Sequence, residues 1–147
     1  MRGRTNLSPA AAVAAMLLTC GCAGGDPAAG DWVLASIAGE PAPDSSPVRM
    51  EIEAGEVRGT DGCNDFRARL VPDGPAGAVT GFQSTLRACE DRADQGRAER
   101  VAAILGASPR YERRGDILTI RSAAGELSLR RGADRATPDP RASAPDG

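Results

Sequence analysis

The chain has 147 residues, a formal net charge of −2 and 18 basic residues, all of them arginine, with no histidine. This length allows one domain with short tails. Without histidine the chain lacks the usual general base near neutral pH and the commonest protein ligand of metals. The slightly acidic balance, with no basic stripe interleaved with aromatic residues, argues against a nucleic-acid-binding protein.

The first 22 residues have the features of a secretory leader. Arg2 and Arg4 precede an uncharged, mostly apolar run over residues 9–18. This run is too short to span a bilayer and fits the hydrophobic region of a signal peptide. Cys22 follows, preceded by a glycine, in a setting that resembles the lipobox of bacterial lipoproteins. Cys20 fits that pattern less well, and the alternative is an ordinary signal peptide cut nearby that leaves a free thiol.

The leader predicts residues 1–21 as a lipoprotein signal peptide and Cys22 as a lipidated, palmitate-bearing residue. The membrane is then a partner through the lipid anchor. Residues 22–30, rich in alanine and glycine, are predicted to be a flexible tether. No acidic residue directly follows Cys22. This resembles the pattern of lipoproteins that are sorted to the outer membrane, so in an organism with two membranes we expect the protein there, facing the periplasm.

Residues 31–131 alternate apolar and polar side chains in short runs, as strands of an antiparallel sheet do. Val48, Met50 and Ile52, for example, are expected to point inward. Strands are predicted at 31–39, 48–53, 56–59, 66–70, 78–82, 110–112, 117–120 and 126–130.

From about residue 91 to 106 the apolar residues recur at helical spacing, which predicts a single α-helix. Residues 132–147 are predicted to be a disordered tail. The order of strands, one helix and more strands indicates an α+β domain, mainly antiparallel β, with the sheet curled into a partial barrel.

Two short segments carry the most specific pattern, Gly62-Cys63-Asn64 and Thr85-x-x-x-Cys89. With the strand that begins at Trp32, they resemble the META domain, the HslJ-like family of bacterial envelope proteins, over about residues 31–131. The resemblance implies a cracked antiparallel β-barrel or roll with one helix. It also implies an envelope protein, often secreted or lipid-anchored, with links to stress response in some members and no catalytic activity established for the family as a class.

The META-like pattern places Cys63 and Cys89 side by side. An oxidising compartment and an even number of core cysteines favour a structural disulfide, and two buried free thiols are the main alternative. A redox role has less support, because the chain has no Cys-x-x-Cys motif. A zinc site would be two ligands short. No metal and no cofactor are therefore predicted.

Gly62, Asn64 and Thr85 are predicted to be motif residues with a structural or a binding role. Asn64 suits a turn in which its side chain bonds nearby backbone, and direct contact with a ligand is the alternative. Thr85 is expected to bond backbone at the end of a strand.

Asp61 and Asp65 flank this turn, and we expect both to be exposed and solvated. Arg87 is expected to pair with one of them in a weak surface contact. The alternatives are that the two carboxylates pair as acid and base or that they bind a cation. A carboxylate-based hydrolase would use Asp61 or Asp65.

The sequence therefore favours a non-enzymatic, lipid-anchored envelope protein that binds an unknown envelope protein or small ligand. Two alternatives stay open at this stage. One is a carrier of a small hydrophobic ligand inside a partial barrel, and the other is a carboxylate-based hydrolase.

Overall fold

The alternation of apolar and polar residues produces nine strands and one helix in the computed structural model, which describes residues 26–133. The predicted signal peptide, Cys22 and most of the predicted tail lie outside these residues. The strands are β1 (Gly30–Ile37), β2 (Glu40–Pro41), β3 (Arg49–Glu53), β4 (Glu56–Thr60), β5 (Asp65–Asp73), β6 (Ala76–Ser84), β7 (Arg110–Arg114), β8 (Ile117–Ser122) and β9 (Gly125–Arg131), and the helix is α1 (Arg92–Gly106).

The strands form one antiparallel sheet in which β1 pairs with β3 and also with β9. This second pairing closes the sheet into an eight-stranded barrel, and β2 is an extra strand joined to the end of β1. The predicted α+β class, mainly antiparallel β with one helix, is confirmed. The barrel is closed, however, where the sequence indicated a cracked or partial one, because β1 has hydrogen-bonding partners on both of its edges.

Apolar side chains from every long strand fill the inside of the barrel. Val48, Met50 and Ile52 are buried as the alternation predicts. The largest buried side chains are Trp32, Tyr111, Leu34, Ile52, Ile104, Leu105, Leu118, Ile120, Leu127 and Leu129. The interior is therefore a packed core, as expected for a barrel of eight strands.

The helix begins where the sequence predicts. Asp91 caps it, because its carboxylate accepts the backbone N–H groups of Ala93 and Asp94. The buried face of α1 consists of Ala98, Val101, Ile104 and Leu105. This face packs against β6, β8 and β9. Because β6 and β7 pair only along the first three residues of β6, the helix covers the barrel wall beyond that short pairing.

Residues 26–30 belong to the folded domain, although the sequence assigns them to the tether. Ala28 is fully buried, and its carbonyl accepts the indole N–H of Trp32 at 2.8 Å. Arg131 donates to the Ala29 carbonyl at 3.1 Å and its guanidinium lies 4.7 Å from the centroid of the Trp32 ring. These contacts fasten the start of the domain to its last strand.

Tyr111 lies in the core, 1% exposed. Burial and, to a smaller degree, the negative charge of Asp26 raise the pKa of its hydroxyl. The influence of Asp26 places the entry of the chain close to this part of the core.

The strands alternate in direction, so the turns divide between the two ends of the barrel. Residue 26 enters at one end, together with the turns β3–β4, β5–β6 and β7–β8. The segments 60–65 and 84–91 lie at the opposite end. Over residues 26–133, none of the helical structure has the length and apolar character that crossing a membrane requires.

Candidate functional site: the clamped end of the barrel

The two segments that carry the most specific sequence pattern meet at the end of the barrel opposite residue 26. Cys63 and Cys89 are joined by a disulfide, with their Cα atoms 5.4 Å apart. This is the pairing favoured from the sequence. We call the two joined segments, 60–65 and 84–91, the clamped end.

Gly62 is required at its position by two separate constraints. Its φ angle is +94°, which side chains of L-residues rarely adopt. A Cβ atom there would also lie 2.6 Å from Cγ of Pro47. The glycine therefore permits both the turn before Cys63 and the close approach of the loop that precedes β3.

Asp61 is buried, with 1% of its surface exposed, so the expectation of an exposed, solvated side chain is wrong. Its carboxylate accepts the backbone N–H groups of Cys63 at 2.9 Å and Asn64 at 2.6 Å. Its own N–H donates to the Asn64 carbonyl at 3.0 Å. A buried carboxylate is tolerated when hydrogen bonds satisfy it in this way, and here it holds the turn in shape.

Asn64 and Thr85 tie the two segments together. The side-chain oxygen of Asn64 accepts the N–H of Arg87 at 2.7 Å, across to the other segment rather than to backbone nearby in the sequence. The Thr85 hydroxyl accepts the N–H of Asp65 at 3.1 Å and lies 3.3 Å from the same oxygen of Asn64. Thr85 thus bonds backbone at a strand end as predicted.

Asp65 and Arg87 form an ion pair at 3.0 Å, with both side chains more than half exposed. Of the two partners expected for Arg87, the structure selects Asp65, because the Asp61 carboxylate is occupied by backbone amides. An exposed pair of this kind contributes at most about 1 kcal/mol to folding.

The structure does not arrange Asp61 and Asp65 as a catalytic pair. One carboxylate is buried against amide groups, and the other meets an arginine in solvent. Among residues 26–133, no three acidic or cysteine side chains come together in a way that would hold a metal ion.

Leu86 is the functional candidate that sequence reasoning missed. It is 99% exposed, and it lies between Thr85 and Arg87, both of which bond to the opposite segment. The disulfide at Cys89 holds the same segment three residues further on. The signal in the sequence was an apolar residue between two residues of the motif, but its exposure depends on how those neighbours are held.

Taken together, the molecule is a small, closed β-barrel with one helix and a disulfide-clamped end. The META-domain family model matches residues 26–134, and the chain belongs to that family. The matched region starts within the residues that the sequence assigns to the tether, in agreement with the burial of Ala28.

Two solved structures, both determined by NMR, resemble this fold. One is 18% identical, with a TM-score of 0.57, over 69% of this chain and 88% of its own. The other, from Burkholderia xenovorans, is 16% identical, with a TM-score of 0.50, over 89% of this chain and 99% of its own. At such identities the likeness shows the fold alone. No curated protein matches the chain.

The disulfide should be a major source of stability. It joins residues 26 positions apart, and closing such a loop in the unfolded chain stabilises the fold by about 3–4 kcal/mol in the chain-entropy model. We expect reduction to lower the melting temperature by more than about 10 °C, measured by circular dichroism with and without a reductant. Cys63→Ala, Cys89→Ala and the double variant should melt together, because each loses the same bond. Free thiols at Cys63 and Cys89 in the unreduced mature protein would contradict this.

Asp61 and Asp65 provide a matched comparison of a buried and an exposed carboxylate. Asp61→Ala leaves the amides of Cys63 and Asn64 without their acceptor and should lower the free energy of unfolding by about 2–3 kcal/mol. Asp65→Ala removes an exposed ion pair and should cost less than about 1 kcal/mol. Urea denaturation measures both. Equal losses in the two variants would show that the Asp61 contacts do not hold the turn.

Proposed function

We propose that the protein is a non-enzymatic binding module of the bacterial cell envelope, anchored in the membrane by lipid on Cys22. The lipobox-like leader and the META-domain core support this proposal. In an organism with two membranes the anchor lies in the outer membrane and the domain faces the periplasm. A stress-related role, implied by the family resemblance, is part of the same proposal.

Because few residues separate Cys22 from the folded domain, a lipid on Cys22 would determine which end of the barrel lies near the membrane. Residue 26 already takes part in the domain, since Asp26 accepts the Ala28 N–H at 2.9 Å. Four residue steps of at most about 3.6 Å each reach about 14 Å. A lipid on Cys22 would therefore keep the residue-26 end near the membrane, and the clamped end would point into the surrounding compartment.

The exposure of Leu86 carries the proposal of a binding role. A fully exposed leucine gains by burial against a partner, and a segment held by a disulfide and two hydrogen bonds loses little conformational entropy when it binds. The side chain also lies at the end that faces away from the proposed anchor. Leu86 is thus placed to be the apolar contact of an envelope partner.

The packed interior does not favour the hydrophobic carrier. Twenty-two apolar side chains are buried among the described residues, and those in the barrel occupy its inside. The separate environments of Asp61 and Asp65 likewise give the hydrolase alternative no support. The module therefore presents its binding groups on the outside.

The anchor is tested by substitution at the two leader cysteines. Cys22→Ser should move the protein from the membrane fraction to the soluble fraction and abolish its labelling with radioactive palmitate, because the acylated thiol is gone. Cys20→Ser should do neither. The proposal fails if the unaltered protein is soluble and unlabelled, or if Cys20→Ser alone releases it.

The contact surface is tested by two matched aliphatic residues at opposite ends of the barrel, Leu86 and Val71, the latter 50% exposed. Leu86→Ser should weaken capture of the envelope partner about tenfold or more, since the apolar burial of one leucine is worth about 1.5–3 kcal/mol. Val71→Ser should leave capture unchanged. Quantitative pull-down from native envelopes with lipidated bait measures both. Unchanged capture by Leu86→Ser would rule out the clamped end as the contact.

A further inference from the structure

A groove of about 1230 Å³ runs along the outer wall of the barrel, over strands β4, β5 and β6. It starts beside Thr85 at the clamped end and extends toward Glu56. The outward side chains of three arginines, Arg58, Arg67 and Arg69, line it together with polar residues of β6. Leu86 does not line it.

The register of the strands brings these three arginines together. Arg58 on β4 stands directly opposite Arg67 on β5. Arg67 and Arg69 are two positions apart on one strand, so they share a face at a spacing of about 7 Å. Like charges placed directly opposite each other in a sheet are destabilising. The arrangement therefore carries a cost that a bound anion would remove.

Of the three arginines, Arg67 is the one without a carboxylate partner. Arg58 and Arg69 both pair with Glu56, each at 3.3 Å. Arg67 instead donates its Nε–H to the amide oxygen of Gln83 at 2.8 Å, which brings no negative charge. Asp65 also lines the groove, but its carboxylate pairs with Arg87, which does not line the groove. Glu51 of β3, just beyond the groove, stands opposite Arg58. Arg67 is therefore the arginine of this groove that faces no acidic residue on either neighbouring strand.

A bulge in β6 shapes the side of the groove next to Arg67. The pairing of β5 with β6 shifts between Arg67 and Arg69, and Gly81 sits in the bulge with a φ angle of +64°. Nothing lies within 4 Å of where a Cβ of Gly81 would be, so this wall opens to solvent. Bulges of this kind redirect neighbouring side chains, and here Gln83 turns toward Arg67.

We propose that this groove binds a small organic molecule that carries at least two oxyanion groups, carboxylates or phosphates. One oxyanion binds between Arg58 and Arg67, and the second binds at Arg69, about 7 Å away along the strand. Guanidinium groups recognise both carboxylate and phosphate through paired N–H donors. The volume exceeds what a single inorganic ion needs, and it also exceeds the roughly 300–1,000 Å³ of typical small-ligand pockets because the groove is open to solvent.

This inference adds a ligand class to the proposed binding module but does not depend on its lipid anchor or on Leu86. Failure of the groove experiment leaves those two proposals standing, and the reverse also holds.

The test uses the purified protein and three probes: citrate, pyrophosphate and inorganic phosphate. Nuclear magnetic resonance should show shifts of the Nε–H signals of Arg58, Arg67 and Arg69 on addition of citrate, pyrophosphate or both. Calorimetry should give tighter binding of that probe than of inorganic phosphate, because one oxyanion reaches only part of the site. Affinity should fall with added sodium chloride. A response to citrate alone assigns carboxylates, and a response to pyrophosphate alone assigns phosphates.

Arg67→Gln should weaken binding about tenfold, as expected for the loss of a charge-assisted contact. Arg113→Gln is the matched control, since Arg113 also donates its Nε–H to a neutral oxygen, the carbonyl of Gly115, but on the β7–β8 turn. It should bind as the unaltered protein does. Three outcomes would overturn the proposal: no shift with citrate or pyrophosphate, equal weakening in both variants, or an affinity for inorganic phosphate that equals that for whichever of citrate and pyrophosphate binds.

Discussion

The pairing of β1 with β9 is the constraint on which the rest of the structure depends. It joins the first and last long strands, from Trp32 opposite Arg131 to Ile37 opposite Leu127. This pairing removes the two free edges of the sheet, which would otherwise be sites for association with another chain. It also encloses the apolar faces of all eight strands in one core. The cost is entropic, because closure brings together residues about a hundred positions apart in the chain.

The disulfide of the clamped end offsets part of this entropic cost, and it lies in the chain between β6 and β7, the two strands with a short pairing. β6 and β7 share only a short pairing, and the chain between them leaves the sheet to form α1. The disulfide fixes that departing segment to the start of β5, and Asn64 fixes it again through the Arg87 amide. The helix that follows packs against β6, β8 and β9. Asp61 belongs to the same arrangement, because its carboxylate holds the turn from which Asn64 reaches across.

Local patterns in the sequence were enough to predict eight of the nine strands, the helix and the fold class, because these depend on the period of apolar residues. The alternation of Val48, Met50 and Ile52 is an example. The two-residue strand β2 was not predicted. Closure was not predictable, since the same alternation suits an open or a closed sheet. The burial of Asp61 was missed because it depends on two backbone amides brought together by a turn at Gly62. The sequence did not predict that Arg58 and Arg67 lie opposite each other, because this depends on the register of β4 against β5. A shift of that register by one residue would place the two side chains on opposite faces of the sheet.

Because side chains fill the inside of the barrel, both proposed binding surfaces lie on its outside. The residues proposed to bind are therefore not the residues that form the core. Inward positions are committed to packing, where the loss of even a methylene group is felt. Outward positions on a strand point into solvent, and substitutions there usually change stability by less than about 0.5 kcal/mol. Arg67 occupies such an outward position on β5, and Leu86 is exposed in the segment that follows β6. On the two binding proposals made above, a few substitutions at either surface would change what is bound while the core, the closure and the disulfide stay as they are.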